Sequence, residues 1–270
     1  GSEAKNTNLA IFECVKAVLE KYDLQQCFLM MSKRSELDEL LKMNDLIDII
    51  IPRGSSAMIE EIASKSKIPL IKHDKGLCHI FVDESACLKE SADIIINAKC
   101  QRPSVCNALE SLIVHKNIAK ELFSLLVDEL QRHKVEIYGC DKSLALLNGL
   151  KIQTQKATNE TYATEWLDFK LSVKIVANLN EAIEHINEFS SSHSDAILSN
   201  NAQNIAIFQR QINSACVYVN ASTRFSDGGE FGFGAEVGIS TNKLHARGPM
   251  GVKELCTYKY LVSGAGQVRL

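Results

Sequence analysis

The sequence lacks the features that mark several whole classes of protein. No apolar run approaches the ~20 residues that a membrane helix needs, so a membrane-spanning role is not expected. No block of like charge and no basic stripe stands out. With 30 Lys and Arg against 33 Asp and Glu the net charge is −3, a balance that argues against nucleic acid as a partner. There is no Cys-x-x-Cys and no cysteine–histidine spacing of a zinc site, and His185, His193 and His245 are not at metal-ligand spacing, so no metal is expected. The first residues, Gly1-Ser2-Glu3-Ala4, lack the basic and apolar regions of a signal peptide. No repeat of fixed period and no low-complexity tract is present.

What is there is enough for a packed core. A chain of 270 residues, 46% apolar, allows roughly two domains of about 100–200 residues each. Its nine cysteines, at 14, 27, 78, 87, 100, 106, 140, 216 and 256, are odd in number and scattered. That usage fits a reducing cytoplasm. Cys14, Cys27 and Cys216 lie in apolar stretches, where cysteine serves as a small core hydrophobe.

The apolar periodicity alternates between strand and helix. Leu9, Ile11, Cys14, Val15, Val18, Leu19 and Tyr22 are spaced as one helical face, with Asn6 or Thr7 as cap. Strands are predicted over 26–31, 48–52, 69–72, 79–83, 111–115, 135–138, 169–176, 196–199, 217–220 and 258–262. Helices are predicted from Ser35 to Met43, from Ser56 to Lys65, and over 86–98, 118–133, 181–189 and 205–212. Strands separated by amphipathic helices imply an α/β fold with a parallel sheet covered on both faces. Residues 221–251 break the pattern: seven glycines and few apolar runs predict a long loop, and loops of that length in compact domains are functional or disordered.

Three segments can carry chemistry. Ile50-Ile51-Pro52-Arg53-Gly54-Ser55-Ser56 reads as strand, glycine turn and helix start. The free N–H groups and positive dipole end of such a helix suit a phosphate, and Gly54 lets backbone approach a ligand. An ordinary capped βα turn has the same composition. Gln101-Arg102-Pro103-Ser104-Val105-Cys106-Asn107-Ala108 puts a cysteine in a polar connection between a helix and a strand, with Arg102 nearby. Reactive thiols favour such places, and backbone N–H groups at 106 and 107 can hold an oxyanion on an acyl substrate. The other reading is that Cys106 simply begins a buried strand. In the third segment Arg224, Lys243, His245 and Arg247 stand among glycines and hydroxyls after Asn220. They are either a cationic wrap for a small anionic ligand or a solvated loop. Glu165, before Trp166, is either a partner for a sugar hydroxyl or a surface glutamate.

Together these segments resemble gamma-glutamyl phosphate reductase, a family of the aldehyde dehydrogenase superfamily, across essentially the whole chain. The resemblance runs through Asp48 to Gly54; through Ile71-Lys72-His73, Gly76, Cys78 and His79; through Asn97-Ala98-Lys99, Gln101-Arg102-Pro103 and Val105-Cys106-Asn107-Ala108. It continues through Val176, Ala182-Ile183, His185-Ile186, Ser190-Ser191, His193-Ser194-Asp195 and Ile197, the stretch by which the family is recognised. Val219 to Phe225 and His245-Ala246-Arg247-Gly248-Pro249 match as well. One position departs: Phe189 stands where the family has His or Tyr. Gly1-Ser2-Glu3-Ala4 resembles the end of an Arg-Gly-Gly-Ser-Glu-Ala stretch inside the family's cofactor domain. The chain is therefore expected to be a fragment that binds cofactor poorly alone.

The resemblance implies an aldehyde dehydrogenase-like α/β fold. Residues 1–101 would be the C-terminal part of an NADP-binding domain, 102–250 the catalytic domain, and 251–270 a C-terminal strand returning to the cofactor or oligomerisation region. It implies NADPH-dependent reduction of L-glutamyl 5-phosphate to glutamate 5-semialdehyde and phosphate, through a thioester on Cys106, in proline biosynthesis. Ser2, Glu3, Arg53, Gly54, Ser55 and Glu165 would contact the cofactor. Asn107, Asn220, Arg224, Lys243, His245 and Arg247 would shape the substrate pocket. A homo-oligomer and a glutamate 5-kinase partner are implied too. Aldehyde-oxidising relatives carry a Glu that hydrolyses the thioester, in a region that here reads Ile71-Lys72-His73-Asp74-Lys75-Gly76 and holds no Glu. Two alternatives stay open: another acylating aldehyde dehydrogenase, and a non-catalytic module for oligomerisation or scaffolding.

Overall fold

The computed structural model describes residues 2–31, 33–72, 75–244 and 246–269. The chain forms two compact units, residues 1–50 with 60–70 and residues 51–59 with 71–270.

The first unit holds α1 (Lys5–Glu20), α2 (Leu37–Leu40) and most of α3 (Ser56–Lys65). No residue of α1 is buried, although Leu9, Ile11 and Val18 lie on it. Ile50 N donates to Pro69 O at 2.9 Å, and among the described residues of this unit the strand pairing is a single parallel bridge, Ile50 to Leu70. Leu41 and Ile68 are the side chains most fully withdrawn from water here.

The second unit is built on one parallel sheet. In chain order it contains β1 (Cys78–Val82), α4 (Leu88–Cys100), β2 (Leu109–His115), α5 (Ala119–Arg132), β3 (Glu136–Gly139), α6 (Asp141–Leu147), β4 (Thr154–Lys156), α7 (Asn159–Tyr162), β5 (Lys170–Val176), α8 (Leu179–Phe189), β6 (Ser194–Leu198), α9 (Ala202–Gln211) and β7 (Cys216–Val219). The seven strands run in the order β4-β3-β5-β2-β1-β6-β7, all parallel. A short antiparallel pair, β8 (Gly238–Ser240) and β9 (Gly248–Met250), follows.

Strands β1 and β2 are buried at every position, which is why they carry the apolar runs Ile80-Phe81-Val82 and Leu112-Ile113-Val114. Helices α4 and α5 cover one face through Ile95, Leu122, Leu126 and Leu130. Helices α8 and α9 cover the other through Ile183, Ile186 and Phe208. Apolar residues on α5 at 122, 126 and 130 recur at helical spacing. Asn178 and Asn201 cap α8 and α9 by accepting backbone N–H groups, from Glu181 at 3.0 Å and from Gln203 at 3.0 Å.

β1 pairs with β2 on one side and β6 on the other, and residues 71–101 fall in the same compact unit as the strands that follow. The structure corrects several expectations about elements. Residues 26–31 and 258–262 form no strand, because no neighbouring strand pairs with them among the described residues. Residues 48–52 and 69–72 make only the one bridge for the same reason. Asn6 and Thr7 lie inside α1, whose N-cap is Ala4. Cys14 and Cys27 are exposed, while Cys216 is buried. The strand β4 was not anticipated; its three residues are all exposed and polar, so no apolar signal marks it. Among the described residues no helix is long and apolar enough to cross a membrane.

Candidate active site

Cys106 lies in the connection from α4 to β2, at the amino-terminal edge of the sheet. Ala108 N donates to Val105 O at 3.0 Å, closing a tight turn around it. The thiol is half-buried. Behind it Gly76 packs directly on its backbone. A Cβ on Gly76 would fall 2.6 Å from the Cys106 carbonyl carbon and closer still to its Cα and O. Gly76 is therefore required by close approach, not by its φ. Cys78 Sγ donates to Cys106 O at 3.2 Å, and Gly76 N donates to Glu165 Oε1 at 2.8 Å. Glu165 thus reaches the nucleophile loop through the backbone of its neighbour.

The electrostatics run opposite to the expectation of a cation-activated thiol. Burial pushes the Cys106 thiol up to about 11, and the charges of Glu236 and Glu165 add to it. Its own backbone hydrogen bond and Arg53 pull the other way. Arg102 is exposed and is not among the charges acting on the thiol. The thiol of this chain is therefore neutral near pH 7. Cys78, fully buried behind it, is raised well above the ordinary thiol value by burial and then by Asp195.

Asn107 ties the glycine-rich loop to this turn. Its side chain donates to Ser226 O at 2.9 Å and Arg224 O at 3.3 Å, and accepts from the Arg224 guanidinium. Thr223 Oγ1 donates to Asn107 O at 2.7 Å. Arg224 Nε also donates to Gln101 Oε1 at 3.1 Å. Further on, Gly228 N donates to Glu236 Oε2 at 2.8 Å, which holds Glu236 in the same loop. Asn97, Gln101, Arg224, Phe225, Asp227 and Glu230 line a cleft of about 200 Å³ beside the turn.

Other predicted substrate residues are not gathered there. Asn220, at φ +50°, uses its side chain on Ser199, accepting from its N at 2.8 Å and donating to its O at 2.9 Å. That is the carboxyl end of β6, the opposite end of the parallel sheet from Cys106. Arg247 donates to the side chain of Asn213 at 3.0 Å and to its carbonyl. Lys243 is exposed. His245 lies outside the described residues, as do His73 and Asp74. Phe189, the departure from the family pattern, packs on His185 at 4.8 Å and Tyr162 at 5.6 Å between ring centres.

Of the predicted cofactor residues, Glu165 and Arg53 both act on the Cys106 thiol, Glu165 more strongly, and Arg53 Nη1 lies 3.2 Å from the Cβ position of Gly238. Ser55 performs the capping role, its hydroxyl accepting from Met58 N at 3.4 Å. The space over Gly54 is taken by the flexible thioether of Met58, with Sδ 2.8 Å from a Cβ position. Glu3 lies in the helical turn Ser2–Ala4 of the first unit, and the Ser2 side chain is outside what the structure describes. Among the described residues no group of three or more His, Cys, Asp or Glu is placed to hold a metal.

Sequence reasoning missed Gly76, Glu236, Glu110 and Lys99 as parts of this site. Glu110 and Lys99 form a fully buried ion pair at 2.9 Å. Burial raises Glu110, to about 7, and lowers Lys99. A charged residue inside an otherwise apolar strand, Leu109-Glu110-Ser111-Leu112-Ile113-Val114, was the available signal.

No family model matches the chain. It is 61% identical over 269 residues to the gamma-glutamyl phosphate reductase of Campylobacter jejuni, covering 100% of this chain and 66% of that protein. It is 48% identical over 272 residues to that of Caldanaerobacter subterraneus, covering 65% of it. The crystal structure of gamma-glutamyl phosphate reductase from Thermotoga maritima superposes with a TM-score of 0.92 at 44% identity, over 100% of this chain and 65% of that one. An acetylating aldehyde dehydrogenase from Geobacillus thermoglucosidasius shares the fold, with a TM-score of 0.66 at 16% identity over 88% of this chain and 61% of that one. Spanning 66% of the Campylobacter relative and 65% of the others, the chain belongs to the gamma-glutamyl phosphate reductase family.

Proposed function

We propose that this chain carries the nucleophile of an enzyme that reduces L-glutamyl 5-phosphate to L-glutamate 5-semialdehyde and phosphate, the reductive step from glutamate toward proline. The observation that carries the reading is Cys106 on a turn built for close approach, with Gly76 packed against its backbone, in a chain 61% identical to a named reductase.

In this mechanism the Cys106 thiolate attacks the acyl carbon, the carbon–oxygen bond to phosphate breaks, and phosphate leaves with its electron pair. A thioester remains on Sγ. The turn at 105–108 fixes the nucleophile, and backbone N–H groups at 106 and 107 receive the developing oxyanion. A bound reduced nicotinamide supplies hydride to the thioester carbon. Cys106 is then the leaving group, and the aldehyde departs. Because the thiol is raised to about 11 in this chain, the reactive thiolate fraction grows with pH.

The residues fit a dinucleotide phosphate in part. The first turn of α3, with Arg53 before it, offers a positive helix end, and the side chain over Gly54 is a movable thioether. Glu165 suits a ribose hydroxyl with the oxygen it does not give to Gly76. NADPH, a homo-oligomeric assembly, a glutamate 5-kinase partner and a cytoplasmic location are parts of this same proposal, supported by the family relationship.

The test runs the reaction backwards in the chain extended to the length of its relatives. Semialdehyde and NADP⁺ are mixed with and without phosphate, and NADPH absorbance is followed. Phosphate-dependent signal, lost in Cys106→Ala, is the expected result. Signal independent of phosphate would mean a hydrolytic aldehyde dehydrogenase. No signal from a folded protein would move the function to another acyl substrate or to scaffolding.

A further inference from the structure

Glu110 lies on β2, four positions beyond Cys106 in the sequence, and is almost wholly buried. Its two carboxylate oxygens serve two different partners. Oε2 accepts from Lys99 Nζ at 2.9 Å, and Oε1 accepts from Leu167 N at 3.1 Å. Leu167 has φ +51°, in the left-handed region. For a leucine that conformation costs energy and persists only where neighbours enforce it. Two residues earlier in the same turn, Glu165 Oε1 accepts from Gly76 N at 2.8 Å. Gly76 in turn abuts the Cys106 backbone. Between them Trp166 is fixed by stacking on Tyr138 at 4.2 Å and by donating to Ser172 Oγ at 3.1 Å.

We propose that the buried Lys99–Glu110 pair is a positioning device for the nucleophile turn: Glu110 holds Leu167 in its left-handed conformation, which sets Glu165 on Gly76 and so seats Cys106. The pair has a reason to be ionised rather than apolar. A carboxylate is acceptor-only at both oxygens, so it satisfies an ammonium and a backbone N–H at once. Lys99 favours the charged carboxylate and so opposes the burial that raises Glu110 to about 7. The inference concerns how the turn is held; only its catalytic consequence rests on the reading of Cys106 given above.

Chemistry supplies a sharp test. Glu110→Gln leaves one acceptor oxygen for two donors. The ammonium takes it, and the amide NH₂ is turned toward Leu167 N. Adding Lys99→Met removes the competing donor and frees that oxygen for Leu167 N. The measurement is amide hydrogen exchange, residue by residue, in the protein extended to its relatives' length. Cys106 alkylation by iodoacetamide is read in parallel as peptide masses. In Glu110→Gln we expect exchange at Leu167 and Gly76 to quicken by about tenfold or more, with Ile113 and Leu126 unchanged, and the pH profile of Cys106 alkylation to shift. In Lys99→Met/Glu110→Gln both amides and the profile return toward the parent. Unchanged exchange at Leu167 and Gly76 in a folded Glu110→Gln protein would overturn the proposal. So would a loss of protection spread evenly through β2 and α5, which is what a merely structural pair predicts. So would failure of the double variant to restore. The exchange readout needs no substrate. An absent reductase activity would therefore sink the functional reading without touching this one.

Discussion

The two ends of the parallel sheet are built on opposite principles. Open α/β sheets usually take their ligands outside the carboxyl ends of the strands, near the point where strand order reverses. Here that point lies between β1 and β6, and the carboxyl end has the larger cleft, about 300 Å³, lined by Asp83, Glu84, His115 and Asn204 among others. Its polar groups are already spoken for. Asp83 Oδ2 accepts from Ser85 and Ser199, each at 2.7 Å, and Oδ1 from Asn204 at 3.1 Å. Asn220 closes on the backbone of Ser199. The amino end has the smaller cleft beside Cys106, together with carboxylates that act on a thiol and a glycine that permits backbone contact. A satisfied network rigidifies, whereas a thiol whose proton is held by burial and by two nearby carboxylates responds to any change in either. Of these two clefts the larger is not the one we propose for the chemistry; that choice rests on the groups around each, not on volume.

The largest effect that would sharpen this contrast is loss of the nucleophile. Cys106→Ala is expected to lower turnover by about 10³-fold or more while the thermal midpoint holds, measured by the phosphate-dependent assay and by calorimetry. Next comes Gly76→Ala. Its Cβ would collide with the backbone of Cys106, so the turn must move. A displacement near 1 Å costs about 10²-fold in rate, and a kcat within twofold of the parent would break the claim of close approach. At the other end the same logic predicts the reverse signature. Asp83→Asn replaces one acceptor with a donor and should cost about 1–3 kcal/mol of stability, read by denaturant titration, with KM and kcat unmoved. A rate loss without a stability loss there would mean that the carboxyl end takes part in chemistry.

How much of this was legible in the sequence depends on the kind of signal. The central strands and amphipathic helices of the second unit were readable because each carries apolar residues to bury: β2 holds the run Leu112-Ile113-Val114, and α5 and α8 have clear stripes. Cys106, the nucleophile we propose, stood out in the sequence as a cysteine in a polar connection. The first unit misled the pattern reading. Residues 26–31 look like a strand because they are apolar, yet Phe28, Leu29 and Met31 stay exposed and nothing among the described residues pairs with them. Apolar content reports a need for burial, not its fulfilment. Hydrogen exchange should show the difference, with α1 exchanging far faster than β2. Gly76 and Glu236 were illegible for another reason. Their roles come from proximity across the fold to Cys106, Gly76 by packing on its backbone and Glu236 by its charge near the thiol, and no local spacing encodes a contact of that kind.

The smallest expected effect bears directly on why the amino end is poised. Glu236 is the leading charge that raises the Cys106 thiol, after burial itself. A negative neighbour disfavours the thiolate, so removing it must lower the pKa. With the parent value near 11, the alkylation rate of Cys106 should climb about tenfold per pH unit between pH 7 and 10. Glu236→Gln keeps the shape of the side chain, and its amide oxygen can still accept from Gly228 N, so the loop should hold its place. The midpoint should then move down in pH and the rate at pH 8 should rise a few-fold, although the only change is the loss of one charge. If alkylation at pH 8 slowed in Glu236→Gln, the carboxylate would be acting on the thiol as a proton acceptor rather than as a repelling charge. The amino end would then be catalytic in a second residue.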